Sequence, residues 1–242
     1  MNIHNGEIVA LASSPDFNAN KERGGLGKDK DSSIYFNRVV QGVYEMGSTF
    51  KIFSVAQGLE KDLFTLDSLI DTRAFKINSR KIEDKYKFNS ESSIYEIIVR
   101  SSNVGSARLA LMVGEKGLKE IFSKLGLLEP VRLELREANS TRPILPKNWH
   151  DITLATVSYG YGMSVSLLHL AKAYAILGNG GLNIEPTILK KNHNRILQGP
   201  FLVSKVVCRN VENVLEGVSV RDRKISIIRC RLSLDFRPRD DF

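Results

Sequence analysis

The sequence predicts a mixed α+β domain whose middle is helical, and three observations point to it. Apolar residues recur at helical spacing from Ser48 to about Asp62, from Val104 to Val113, from Leu118 to Leu125 and from Leu167 to Leu177. Around Ile70, Phe75 and Ile77 they alternate instead, which is a strand period. Glycines close the helical runs at Gly114, Gly126 and Gly178-Asn179-Gly180-Gly181, where a chain leaving a helix needs left-handed backbone.

Taken in order, Asn5-Gly6 is a two-residue turn signal, and Glu7-Ile8-Val9-Ala10-Leu11-Ala12 after it reads as a strand ending before Pro15. Asp16 to Ser33 is rich in Asn, Lys, Gly and Asp, holds little apolar surface to bury, and reads as a surface loop. The helix from Ser48 follows, then a β-rich excursion over Thr65 to Lys87. Ser93-Ile94-Tyr95-Glu96 is a capping-box pattern that opens the next helix, with the Ser and Glu side chains each expected to take a free N–H. No internal repeat is present.

Composition sets limits on function. With 242 residues, 42% apolar and 26% charged, the chain is long enough for one sizeable core. No run of eighteen apolar residues occurs, and Met1-Asn2-Ile3-His4-Asn5-Gly6 has no basic stretch leading into an apolar one, so neither a membrane segment nor an export signal is expected in the chain as written. The net charge of +8 would attract anionic polymers, but Lys21/Arg23/Lys28/Lys30, Arg80/Lys81 and Lys190/Lys191 are interleaved with acidic or polar residues and have no aromatic platform. That pattern describes a solvated surface and argues against nucleic acid. Cys208 and Cys230 have no histidine at metal spacing, so two free thiols are expected and neither a zinc site nor a structural disulfide.

The chemistry centres on Gly47-Ser48-Thr49-Phe50-Lys51. On a helix, residues three apart share a face, so the Ser48 hydroxyl and the Lys51 amine can meet. A serine is a weak nucleophile until a base takes its proton, and a lysine serves as that base when burial lowers its pKa. The first-turn N–H groups of a helix also favour negative charge developing on an acyl intermediate. Alone, the same residues describe an N-capping serine and a solvated lysine. Ser101-Ser102-Asn103, followed by Val104-Gly105, offers small hydroxyl and amide groups that relay a proton or bind a substrate amide, or that simply cap and turn the chain.

The segments together resemble one family. Phe36-Asn37-Arg38 and Tyr44 through Lys51 are similar to the nucleophile segment of class B penicillin-binding proteins, in particular the cell-division transpeptidases. Gly6 through Asn18 resembles the strand and loop that precede it, Ser101-Ser102-Asn103 resembles the Ser-x-Asn motif, and Tyr159-Gly160-Tyr161-Gly162 with the following helix resembles the Gly-x-Gly segment. The resemblance implies the penicillin-binding transpeptidase or serine β-lactamase-like fold, an antiparallel sheet packed with helices. It implies Ser48 as nucleophile toward the penultimate D-alanine of a peptidoglycan stem peptide, Lys51 as general base, Ser101 as proton relay and Asn103 as a hydrogen-bond partner of Lys51 and substrate. Gly160, Tyr161 and Gly162 would line the substrate site. β-Lactams would acylate the same serine. No cofactor or metal is implied, divisome proteins are the family's partners, and its setting is the periplasmic face of the inner membrane; without an export signal this chain would stay cytoplasmic.

The pattern departs from the family at one place. No Lys-Thr/Ser-Gly triplet occurs in the 242 residues, and after Val211-Glu212-Asn213-Val214-Leu215-Glu216-Gly217 the sequence turns to Val218-Ser219-Val220-Arg221-Asp222-Arg223-Lys224. Arg229, Arg231, Arg237 and Arg239 then follow neither helix nor strand spacing. The expectation is a partial transpeptidase domain over residues 1–217, lacking its C-terminal strands. A basic tail from a changed reading frame is expected over 218–242. On that reading the sheet loses its middle, the strand at Ile8 and the helix at Ser48 lose a covering partner, stability is marginal and activity is impaired. Two alternatives stay open, a D,D-carboxypeptidase or β-lactamase-like serine hydrolase and a non-catalytic binding remnant.

Overall fold

The structure is a computed structural model, and it describes residues 1–16, 34–190 and 199–221. The loop expected over Asp16–Ser33 lies, but for Asp16, outside the described residues, as do Cys230 and the arginine-rich end.

A 3₁₀ turn over Gly47–Phe50 runs directly into helix α1, Lys51–Glu60. Four short strands follow: β1 Leu69–Asp71, β2 Phe75–Ile77, β3 Arg80–Ile82 and β4 Glu91–Ser93. They form two separate antiparallel pairs, β1 with β4 and β2 with β3. Helices α2 (Ile94–Val99), α3 (Asn103–Lys124), α4 (Arg136–Ser140), α5 (Asp151–Ser158), α6 (Leu167–Gly178) and α7 (Lys205–Arg221) complete the order among the described residues.

The core is built around α1. In Lys-Ile-Phe-Ser-Val-Ala-Gln-Gly-Leu all nine residues from Lys51 to Leu59 are buried, the polar Lys51, Ser54 and Gln57 on one face with them. Phe50 and Phe53 meet edge to face at 5.1 Å, and both reach Phe122 of α3, at 5.9 and 6.3 Å between ring centres. Edge-on contacts of this kind are the favoured geometry for aromatic rings. Tyr174 of α6 closes the cluster on Phe53. The expectation that this helix would lose a covering partner is therefore not met.

Glycine at 114 interrupts α3, with φ +72° and ψ 172°, so the two helical runs read from the sequence are two rods joined end to end. The predicted cap at Ser93 forms by half. Its hydroxyl accepts the Glu96 N–H at 3.2 Å, but the Glu96 carboxylate turns to Arg100 one helical turn on. The pull of the guanidinium outweighs a single neutral N–H.

The N-terminal reading is corrected. Asn2 and Glu7 close a tight turn, with Gly6 at φ +79°, but Glu7–Ala12 is not a strand. Its backbone makes one parallel bridge, to Thr187, and beyond Ile8 it has no ladder partner among the described residues; Val9 is 79% exposed. An apolar run after a turn does not by itself make a strand when no second strand lies alongside. Ile8 and Leu11 instead lean on a small cluster of Val40, Val131, Leu133 and Leu168. Cys208 is a free, buried thiol on α7, which burial pushes up to about 12.

Candidate active site

Three side chains from two distant segments meet in a triangle. The 3₁₀ turn presents Ser48 at the surface, and one turn later Lys51 enters the core at 2% exposure. The Lys51 amine donates to Ser48 Oγ at 3.1 Å, to Ser101 Oγ at 2.7 Å and to the Ser101 carbonyl at 2.8 Å. Ser101 Oγ in turn donates to Ser48 Oγ at 3.0 Å. The helical spacing of Ser48 and Lys51 thus does what it predicts, and Ser101 joins them from the α2–α3 junction.

The junction is strained to do so. Ser101 has φ +61°, a left-handed conformation that a non-glycine residue adopts only when its surroundings enforce it. Ser101 N–H donates to the Ile98 carbonyl and Ser102 N–H to that of Ile97, which ends α2 sharply. Ser102 then caps α3, its Oγ accepting the Gly105 N–H at 2.8 Å.

Burial eases loss of the Lys51 proton without removing it at neutral pH. Burial lowers Lys51 to about 8, with the charge of Asp84 opposing that fall. A lysine so placed is a competent proton acceptor close to neutral pH. Asp84 is a residue that sequence reasoning missed. It stands in the charged run Glu83-Asp84-Lys85, where it looks like a solvated turn, yet it accepts from Ser102 Oγ at 2.6 Å and from the Asn103 and Val104 N–H groups.

The expected hydrogen bond from Asn103 to Lys51 is not formed. An ammonium has three protons, and Ser48 and the two Ser101 oxygens take all three. Asn103 contributes its backbone N–H to Asp84 as the first residue of α3.

Gly160 and Gly162 reach the nucleophile turn through its backbone. Gly160, at φ +84°, packs so closely on Gly47 that a Cβ there would lie 2.0 Å from the Gly47 oxygen. The Gly47 N–H donates to the Gly160 carbonyl at 3.2 Å, and the Gly162 N–H to Glu45 Oε1 at 2.6 Å. Tyr44 and Val165 exchange both backbone hydrogen bonds just before these contacts. Tyr161 is 53% exposed and meets Tyr159 edge to face at 6.0 Å. On the far side, the Tyr174 hydroxyl donates to the Thr49 carbonyl at 2.8 Å. Among the described residues no cluster of His, Cys, Asp and Glu could hold a metal ion.

A family profile described as the penicillin-binding protein transpeptidase domain matches residues 1–228. The chain is similar to a probable peptidoglycan D,D-transpeptidase FtsI of Caulobacter vibrioides, 41% identical over 191 residues, covering 78% of this chain and 31% of that protein. It is 30% identical over 220 residues to the Escherichia coli peptidoglycan D,D-transpeptidase FtsI, covering 91% of this chain and 36% of the relative. The chain thus spans about a third of the length of these relatives. Among solved structures, the apo transpeptidase domain of Burkholderia pseudomallei penicillin-binding protein 3 superposes with a TM-score of 0.71 at 32% identity, over 76% of this chain and 56% of that one. With the sequence profile, the fold and two such relatives in agreement, the chain belongs to the penicillin-binding protein transpeptidase family.

Proposed function

We propose that this chain carries the acyl-serine centre of a peptidoglycan D,D-transpeptidase that serves cell division. The observation that carries the reading is the Ser48–Lys51–Ser101 triangle, a nucleophile, a buried base and a second hydroxyl in mutual hydrogen-bond contact. Neutral Lys51 takes the Ser48 proton as Oγ bonds to the carbonyl carbon of the penultimate D-alanine. When the tetrahedral adduct collapses, the C–N bond breaks, and the proton passes from Lys51 through Ser101 to the departing D-alanine amine. An amine from a neighbouring stem peptide then attacks the ester and forms the cross-link. Gly160, Tyr161 and Gly162 line the approach, and β-lactams acylate the same Ser48. Asn103, whose side chain does not hold Lys51 here, is left to the substrate backbone.

The sequence holds no Lys-Thr/Ser-Gly triplet, so in the chain as it stands acylation is slowed; the extreme of that reading is a remnant that only binds. The family match runs to residue 228 and α7 to Arg221, so the end of the domain at residue 217 rests on motif grounds alone. The parent protein is assigned to the periplasmic face of the inner membrane, with divisome partners. No helix among the described residues is long and apolar enough to cross a membrane.

The test is incubation with a D-alanyl-D-alanine depsipeptide or thioester donor and a D-amino acid acceptor, followed by mass spectrometry. A Ser48 acyl adduct that transfers to the acceptor supports transpeptidation. Transfer to water alone points to the carboxypeptidase, and rapid turnover of a chromogenic cephalosporin to the β-lactamase. No adduct on folded protein leaves the binding remnant.

A further inference from the structure

We infer that Asp84 is a positioning residue of the serine–lysine centre: its carboxylate fixes the start of α3, and through it Ser101, against the Lys51 amine, and supplies the negative charge that this buried cation feels. Asp84 lies two residues beyond β3. Ile82 at the end of that strand is buried with Val104 and Ala107 of α3, so the β2–β3 hairpin is docked on the very turn that follows Ser101. From there one carboxylate oxygen accepts the Asn103 and Val104 N–H groups and the other the Ser102 hydroxyl. With Ser102 Oγ taking the Gly105 N–H, the first three free donors of α3 are satisfied by two side chains.

The placement matters because of what precedes it. Ser101 is held in left-handed backbone, at a cost of about 1–3 kcal/mol that must be enforced from both sides. On one side α2 does so, through the Ile97 and Ile98 carbonyls. On the other, the Asp84 carboxylate pins residues 102 to 104. The carbonyl and hydroxyl that Ser101 then turns to Lys51 are two of the three oxygens the amine holds.

Charge adds a second effect. The three oxygens around the Lys51 amine are neutral, those of the Ser48 hydroxyl from the 3₁₀ turn and of the Ser101 hydroxyl and carbonyl from the α2–α3 junction. Among the described residues Asp84 is the charged group that acts on it, and it acts to keep the proton on. A base too easily deprotonated is a weak base, and one held too tightly is never free. Burial draws Lys51 down and the Asp84 charge opposes that fall, which leaves the amine between these limits.

The rate consequence rests on the transpeptidase reading, but the effect on Lys51 does not, so the two are measured separately. Asp84→Asn keeps an acceptor for the Asn103 and Val104 N–H groups while deleting the charge; Asp84→Ala deletes both; Asp84→Glu keeps the charge. In the full chain with ¹³C-labelled lysine, the Lys51 Cε resonance is titrated by NMR. Its midpoint is expected to fall in Asp84→Asn by on the order of one pH unit, and to stay near that of the unaltered chain in Asp84→Glu. Fluorescent-penicillin acylation, followed against pH, is expected to shift its midpoint in the same direction in Asp84→Asn and to lose at least about tenfold in its limiting rate in Asp84→Ala. An unchanged Lys51 midpoint in folded Asp84→Asn overturns the charge role, and an unchanged limiting rate in folded Asp84→Ala overturns the positioning role. If Asp84→Ala does not fold, the limiting rate of Asp84→Glu, which keeps the charge but displaces both oxygens, takes its place, and an unchanged rate there overturns the positioning role. If the unaltered chain takes up no penicillin, the transpeptidase reading is what suffers, and the titration still decides the role of Asp84.

Discussion

The Lys51 amine and the Ser101 hydroxyl, fifty residues apart in the chain, lie 2.7 Å from one another. That contact ties the helix carrying the nucleophile to the junction of two others, and the base cannot be moved without disturbing the relay. Lys51→Ala is expected to lower β-lactam acylation by about 10²–10⁴-fold, the range for loss of a general base. The second-order rate constant with a fluorescent penicillin measures it, and a loss below tenfold would mean another group deprotonates Ser48.

The burial of Lys51 also sets a pH dependence. Its folded value of about 8 lies below the 10.5 of an exposed lysine, so between these values the unfolded chain binds more protons. Stability is therefore expected to rise from about pH 8 toward pH 10.5, with the full cost of the buried charge present below pH 8. Acylation should rise through about pH 8 as the amine loses its proton. Denaturant titrations across this range check the first point: Lys51→Met should flatten the slope, and an equal slope in both proteins would contradict it.

His169 gives a second rise of stability with pH, on the acid side. It is 1% exposed, and its Nε2–H donates to the Glu129 carbonyl while Nδ1 accepts from Ser166, a neutral tautomer. Burial lowers it to about 4, from the 6.5 of an exposed histidine. The unfolded state takes up the proton first as pH falls, so stability is expected to drop from about pH 6.5 to about pH 4, by on the order of 3 kcal/mol at 1.36 kcal/mol per unit. His169→Gln should remove that dependence in denaturant titrations at the two pH values. The buried ring holds Ser166 beside Val165, whose backbone pairs with Tyr44, so acid should loosen the nucleophile turn as well.

Gly160→Ala combines positive φ with a Cβ placed 2.0 Å from the Gly47 oxygen. The backbone of the nucleophile turn must shift. Displacements near 1 Å cost about a hundredfold in rate, so acylation should fall by that order while the far core of α3 keeps its packing. Hydrogen exchange around Gly47 together with the acylation rate tests this, and a wild-type rate would show the contact to be slack.

How much of this was legible beforehand follows from what is local. The helix at Ser48 and the one at Leu167 declare themselves through sustained apolar period, and the Ser48–Lys51 pairing through spacing of three. Helix α5 did not, because Ile-Thr-Leu-Ala-Thr-Val is rich in β-branched residues that suit a strand equally well. The failed strand after Gly6 and the unforeseen role of Asp84 share one cause. Thr187 and the start of α3 decide them from far along the chain, and no local pattern reports a partner at that distance. The cap at His169 escaped because the residue that completes it is a histidine where the pattern asks for Glu or Gln.

The most direct measurement is acylation of the purified, folded chain by a fluorescent penicillin, beside Ser48→Ala. Covalent label on the unaltered chain and none on Ser48→Ala is the predicted result, with a slow rate in keeping with the absent triplet. Label that survives in Ser48→Ala, or none on either protein while both melt cooperatively, would contradict the assignment of Ser48 as the nucleophile of a working acyl-serine centre.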